Sequence, residues 1–206
     1  MKLFVLGATG KTGGALVAQA VARGHSVTTF GRSLFTGSQS GEVFSIIGNP
    51  MNEAELADAL SGHDAVLSVL GTRGIGATSL LEDSARALIP GMRKAGVRRL
   101  VIQSSALLDP NIGFWATFAA RTVLRHHSRD QRAMERLVTA SDLDWTVLRP
   151  PRMNDSAPPA KPVIIEEPAD SKGLLINKEQ VASVILDTVE TGSHIREIVH
   201  LRGAHS

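Results

Sequence analysis

Leu3-Phe4-Val5-Leu6-Gly7-Ala8-Thr9-Gly10-Lys11-Thr12-Gly13 decides how this chain reads. Four apolar residues form a short run closed by Gly7, and a helical pattern follows from about Thr12 to Arg23, with Leu16, Val17, Ala20 and Val21 as its apolar face. A glycine-rich turn between a strand and a helix lets a pyrophosphate approach the main chain, while the helix start offers N–H donors and partial positive charge. The spacing is G-x-x-G-x-x-G, one residue longer between first and last glycine than the G-x-G-x-x-G dinucleotide fingerprint. A phosphate-loop nucleotidase is disfavoured, because Gly-Lys-Thr occurs without the four residues that should separate the glycines.

Outward from the turn, Ser26 to Phe30 and Val43 to Ile47 read as strands, and Asn52 caps a helix to Leu60 with Glu53 and Glu55 in its first turn. Ala65 to Leu70 is a fourth strand. A helix from about Ser79 to Lys94, with Pro90 as an interruption or kink, precedes a fifth strand, Leu100 to Gln103. A long helical region from about Phe114 to Ala140, broken near His127, leads to a sixth strand, Trp145 to Leu148. The ending is less regular: a proline-rich loop from Ala157 to Pro162, a short strand from Val163 to Ile165, a capping box at Asn177-Lys178-Glu179-Gln180, a helix to about Val189 and a strand from Glu197 to Leu201. Strands alternating with helical patterns predict an α/β fold of the Rossmann type, a doubly wound parallel sheet. The expected organisation is one domain over residues 1–206, with a small substrate-side excursion at about 150–175 lying over the C-terminal edge of the sheet.

Composition narrows the chemistry. The 206 residues include no cysteine and no tyrosine, which excludes thiolate nucleophiles, disulfides and a phenolic acid. The sequence pI of 9.3 accompanies a net charge of only +2, because the groups that titrate between roughly pH 8 and 10 are missing. The high pI is therefore weak support for nucleic-acid binding. No apolar run approaches the roughly 20 residues of a membrane span, and the first residues lack a signal-peptide pattern, so a cytoplasmic protein with no membrane or nucleic-acid partner is expected, as monomer or homodimer.

The end of the second strand chooses between dinucleotides. About 20 residues past the glycine turn an acid would hold the ribose hydroxyls of NAD, but the sequence there is Thr29-Phe30-Gly31-Arg32-Ser33. Arg32 can pair with a 2′-phosphate and stack on adenine, and Ser33 can donate to the same phosphate, so NADP(H) is the expected cofactor.

The glycine turn, Gly31-Arg32-Ser33, Gly62-His63-Asp64-Ala65-Val66-Leu67-Ser68 and Ser141-Asp142-Leu143-Asp144-Trp145-Thr146-Val147-Leu148-Arg149-Pro150 together resemble the atypical short-chain dehydrogenase/reductase superfamily. Within it the chain is similar to the compact NAD(P)H-binding group that includes biliverdin-IXβ reductase/flavin reductases and NmrA-like proteins. The resemblance implies a cofactor site at Gly7, Thr9, Gly10, Lys11, Thr12, Gly13, Arg32, Ser33 and Asn49, with nicotinamide near Leu70, Gly71, Thr72, Ser104 and Ser105. Relatives with a Tyr-x-x-x-Lys pair use the tyrosine as proton donor and the lysine to hold the nicotinamide ribose. Here those places read His127 and Gln131. His127 is a candidate acid near neutral pH, and Gln131 can hydrogen-bond a ribose without supplying charge. The catalytic candidates are thus Ser104, Ser105 and His127. In flavin-reductase-like relatives no tyrosine is needed, and a histidine follows the Pro-Pro pair. In this chain Pro151 is followed by Arg152, which favours an anionic substrate and counts against biliverdin-type specificity.

Two further features stand out. Arg121, Arg125, Arg129, Arg132 and Arg136 share one helix face, a candidate anion-binding or docking stripe, with a solvated face the preferred expectation because Asp130 and Glu135 interleave with it. Phe114, Trp115 and Phe118 are candidates for a lid over the nicotinamide or for packing against the sheet. The seven histidines show no metal spacing, so no metal is expected. The reading is an NADPH-dependent oxidoreductase passing hydride to a flavin, quinone or related small acceptor. The competing expectation is a non-catalytic NADP(H) sensor of the NmrA type. A sugar-nucleotide epimerase or dehydratase is disfavoured by the chain's length.

Overall fold

A computed structural model describes residues 1–37, 43–71, 76–109, 124–153, 163–165 (backbone only) and 175–202. Eight strands, β1 (Lys2–Leu6), β2 (Ser26–Gly31), β3 (Val43–Ile47), β4 (Ala65–Ser68), β5 (Arg99–Gln103), β6 (Asp144–Arg149), β7 (Val163–Ile165) and β8 (Glu197–Arg202), form one sheet in the order β3-β2-β1-β4-β5-β6-β8-β7. All pairings are parallel except β7 with β8, which is antiparallel. The chain is a doubly wound Rossmann-type α/β fold.

Helices α1 (Lys11–Ala22) and α5 (Lys178–Thr191) cover one face of the sheet, and α2 (Glu53–Leu60), α3 (Leu80–Ala95) and α4 (Arg125–Thr139) cover the other. With both faces covered, a central strand must be apolar throughout rather than alternating. β1 shows this: Leu3 and Val5 enter the core under α1 and α5, while Phe4 and Leu6 enter the core under α2, α3 and α4, and all four are fully buried. The strand order reverses at β1, which lies between β2 and β4, so the crevice for a ligand opens beyond the C-terminal ends of β1 and β4.

Three expectations of local structure change. Helix α3 runs unbroken through Pro90. The carbonyl that Pro90 cannot bond belongs to exposed Arg86, while Leu81, Leu88 and Met92 are buried on either side and hold the axis. Helix α4 begins at Arg125, so His127 lies in its first turn rather than at a break; the expected helix over Phe114 and onward falls outside the described residues. Strand β4 stops at Ser68, and Leu70 already belongs to the loop at the crevice. No helix among the described residues is long and apolar enough to cross a membrane.

Candidate functional site: a dinucleotide cradle

The turn between β1 and α1 can be built only from glycine at two of its positions. Gly7 has φ +86°, and a Cβ there would lie 2.7 Å from the carbonyl carbon of Val69, at the end of β4. At Gly13 a Cβ would lie 2.1 Å from the Gly7 oxygen. The Gly10 N–H closes the turn on the Gly7 carbonyl at 3.0 Å, and the first intrahelical bond runs from Gly14 N–H to the Gly10 carbonyl at 2.9 Å. The amides of Lys11, Thr12 and Gly13 precede that bond. Gly10 supplies no side-chain cap and the first turn of α1 contains no acid, so this helix start keeps its partial positive charge at the mouth of the crevice. Thr9, Gly10 and Lys11 are exposed, whereas Thr12 is buried with its hydroxyl 3.5 Å from the Met153 sulfur.

Of the other helices, α4 also begins, after Leu124, with neither a side-chain cap nor an acid in its first turn, whereas α2, α3 and α5 are closed by side chains. Asn52 accepts from Ala54 and Glu55 at the start of α2, and Asn177 and Gln180 form a reciprocal capping box on α5. The start of α3 receives a carboxylate from another helix: Asp130 of α4, 2% exposed, accepts from Leu81 N–H at 3.1 Å and Glu82 N–H at 2.9 Å.

Arg32 and Ser33 follow the end of β2 and are exposed. Asn49 is taken up locally: its Oδ1 accepts from Met51 N–H at 3.1 Å, and its own N–H donates to Glu55 Oε2 at 2.8 Å. It shapes the turn into α2. Leu70 is half-buried and Gly71 exposed beside the crevice, while Thr72 lies outside the described residues.

The two candidate serines separate. Ser105 Oγ accepts from Leu107 N–H at 3.2 Å and so caps a 3₁₀ turn over Ala106–Leu108. Ser104, 3% exposed, has its N–H on the Leu148 carbonyl at 2.7 Å and a buried Oγ without a hydrogen-bond partner among the described residues. Gln131 and Ser128 on α4 are equally buried, and Gln131 Oε1 and Ser128 Oγ also lack one. Orphaned polar atoms of this kind cost free energy unless a ligand satisfies them. His127 is half-buried; burial pushes its imidazole below the ordinary value, and the nearby Asp130 charge only partly offsets this. Pro151 is half-buried and Arg152 exposed. Their segment is tied to the start of α5 through Ile176 N–H on the Arg152 carbonyl at 3.4 Å and the Met153–Ile176 bridge. The lid candidates Phe114, Trp115 and Phe118, and the loop from Ala157 to Pro162, lie outside the described residues.

A buried ionic network next to these groups gave no sequence signal. Arg149, the last residue of β6, makes two bonds to Glu135 of α4, at 3.0 and 2.6 Å, and a third to Asp109 at 2.5 Å. The other Asp109 oxygen accepts from His200 Nδ1 of β8 at 3.0 Å. Burial lowers the Arg149 pKa, but the Glu135 and Asp109 carboxylates outweigh it and the net shift is upward. The network joins β6, β8, α4 and the end of the β5 loop, and so fixes the backbone from which Ser104 and Arg152 project.

Residues 7–191 match the family described as NAD(P)H-binding. The chain belongs to that family. An uncapped helix start, glycines that no other residue can replace and buried unpaired polar atoms beyond β5 fit such a cofactor. Among curated proteins, the UPF0659 protein YMR090W of Saccharomyces cerevisiae is 29% identical over 202 residues, covering 92% of this chain and 87% of its own. Among solved structures, a short-chain dehydrogenase/reductase of Veillonella parvula in complex with NADP superposes with TM-score 0.82 at 19% identity, over 98% of this chain and 94% of that one. ChuY, an anaerobillin reductase of Escherichia coli O157:H7, superposes with TM-score 0.80 at 19% identity, over 100% and 98%. At that identity the two structures establish the fold of this NAD(P)H-binding protein.

Proposed function

We propose that this protein is an NADPH-dependent reductase that passes hydride to a flavin, quinone or related small acceptor. The observation that carries the reading is the pairing of the glycine turn and a helix start without a capping side chain at α1 with the buried, unsatisfied atoms Ser104 Oγ, just past β5, and Gln131 Oε1 on α4. The amides of Lys11, Thr12 and Gly13 bind the pyrophosphate, and Arg32 with Ser33 binds the 2′-phosphate. Ser104 Oγ holds the carboxamide or the acceptor, and Gln131 holds the ribose. Leu70, Gly71 and Thr72 line the nicotinamide side. NADPH, when bound, supplies the hydride; the protein supplies orientation and exclusion of water. Arg152 and Pro151 shape the acceptor side, and the exposed guanidinium selects for an acceptor bearing negative charge. Burial lowers the pKa of His127 and favours its neutral imidazole, which weakens it as an acid, so protons come from solvent.

Loss of NADPH absorbance in the presence of flavins, quinones and aldehydes tests the reading. Turnover is expected with a flavin or quinone, in preference to an aldehyde, whose reduction needs a proton donor. Tight binding of NADPH with no turnover across the panel would replace it by the second reading, a non-catalytic NADP(H) sensor of the NmrA type. That alternative is favoured by the same neutral His127 and the absence of tyrosine from the chain.

A further inference from the structure

We propose that the exposed face of α4 is a docking surface for an acidic helical segment of a partner protein. Four residues of α4 are exposed, Arg125, Arg129, Arg132 and Arg136, and the rest of that helix is half-buried or buried. Their spacing of four, three and four residues places them within an arc of about 60° along about 16 Å of axis. The acids that interleave with them in sequence face the other way. Asp130 is 2% exposed and caps α3; Glu135 is 6% exposed and holds Arg149. The stripe expected to be balanced by these two carboxylates is therefore uncompensated. Arg125 donates to the neighbouring His126 ring at 3.2 Å, and among the described residues none of the four arginines has an ion pair. Arg121, the fifth of the series in the sequence, lies outside the described residues.

Four arginines on one face of a helix are matched by a second helix with carboxylates at the same spacing, since both rise 1.5 Å per residue and pack at shallow angles. Arginine, planar and weakly hydrated, favours such interfaces over lysine. Other occupants fit less well. A two-fold copy of this chain about α4 would set arginine against arginine. A membrane surface would need apolar anchors on the same face, and none is exposed there. For a nucleic acid the stripe is one helix wide, with no exposed aromatic on α4 to stack a base, and the adjoining α3 closes its own charges in Arg86–Glu82 and Arg93–Asp142.

The probe is a helical peptide of about 15 residues with glutamate at i, i+4, i+7 and i+11, compared with a peptide of the same composition whose glutamates are scattered around the helix, and with a single-stranded oligonucleotide of similar length. Binding to the intact protein is read by fluorescence anisotropy. The striped peptide should bind several-fold more tightly than the scattered one, and the double variant Arg129→Glu/Arg132→Glu should weaken it about tenfold or more, consistent with the worth of paired interface charges. The milder Arg129→Gln/Arg132→Gln should fall between, and both variants should keep the NADPH affinity of the unaltered protein, which shows that the fold survives. Equal binding of the two peptides, tighter binding of the oligonucleotide, or no effect of either double variant would each overturn the proposal.

Discussion

Two helices begin at the same edge of this sheet and end their searches for negative charge differently. At α3 the amides of the first turn meet Asp130, a buried carboxylate that the protein carries on α4. At α1 no acid and no capping side chain is present, and Gly7 and Gly13 let the turn pack closely against Val69 and against itself. The same backbone device thus serves as a joint in one place and, in the function proposed above, as a ligand site in the other, and the difference is whether the chain supplies the anion itself. An open start does not make a site by itself, since α4 also begins without a side-chain cap; at α1 it coincides with the glycine turn at the crevice.

The largest effect should come from filling the open cradle. Gly13→Ala places a methyl group where 2.1 Å separates it from the Gly7 carbonyl, an overlap that only a shift of the turn can relieve. Loss of NADPH binding by at least about a hundredfold is expected, with destabilisation of about 3 kcal/mol; tight NADPH binding by a well-folded Gly13→Ala protein in a titration of cofactor fluorescence would show that the turn does not hold the pyrophosphate. Emptying the closed cap comes next. Asp130→Ala removes the partner of two amides in the buried seam between α3 and α4, and should cost about 2 kcal/mol in urea unfolding. It should change NADPH affinity much less than Gly13→Ala does. If the two variants lost cofactor binding equally, the division between joint and site would be wrong.

Legibility in the sequence follows the same division. The cradle is local: strand, turn and helix start occupy the twelve residues from Lys2 to Gly13, and only the close approach of Val69 to Gly7 comes from outside that window. Asn52 and the Asn177–Gln180 box were equally readable, because a cap lies within three residues of what it caps. Asp130 caps amides about fifty residues away, and Asp109 meets Arg149 and His200 across forty and ninety-one. No local pattern encodes such pairs. The arginine stripe was visible by periodicity, but whether its neighbouring acids balanced it depended on what lay under α4.

Cofactor choice sharpens the open end of the comparison at a second point. Arg32→Asp removes a charge-assisted contact worth about 1.5–3 kcal/mol and offers a carboxylate to the ribose hydroxyls instead. The ratio of NADPH to NADH affinity should fall about tenfold to a hundredfold. An unchanged ratio would remove Arg32 from the site and leave the α1 cradle as it stands.

The smallest change makes α1 resemble the closed helices. Gly10 is the residue before α1 and has extended backbone angles, φ −80° and ψ 168°, which any amino acid adopts without strain. In Gly10→Asp a Cβ would lie 3.2 Å from the Gly7 oxygen, so the turn must yield by a few tenths of an ångström. The new carboxylate can then accept from the amides of Thr12 or Gly13, as Asn52 does on α2. Replacing a glycine cap by aspartate is worth a few tenths of a kcal/mol, and the charge at the positive helix end adds about as much, so the protein without cofactor should melt slightly higher. NADPH affinity should fall about tenfold, because the side chain occupies the donors and repels the phosphates. The opposite signs are the point: an inert turn would gain the cap and lose nothing, whereas a ligand site gains stability only by giving up its ligand.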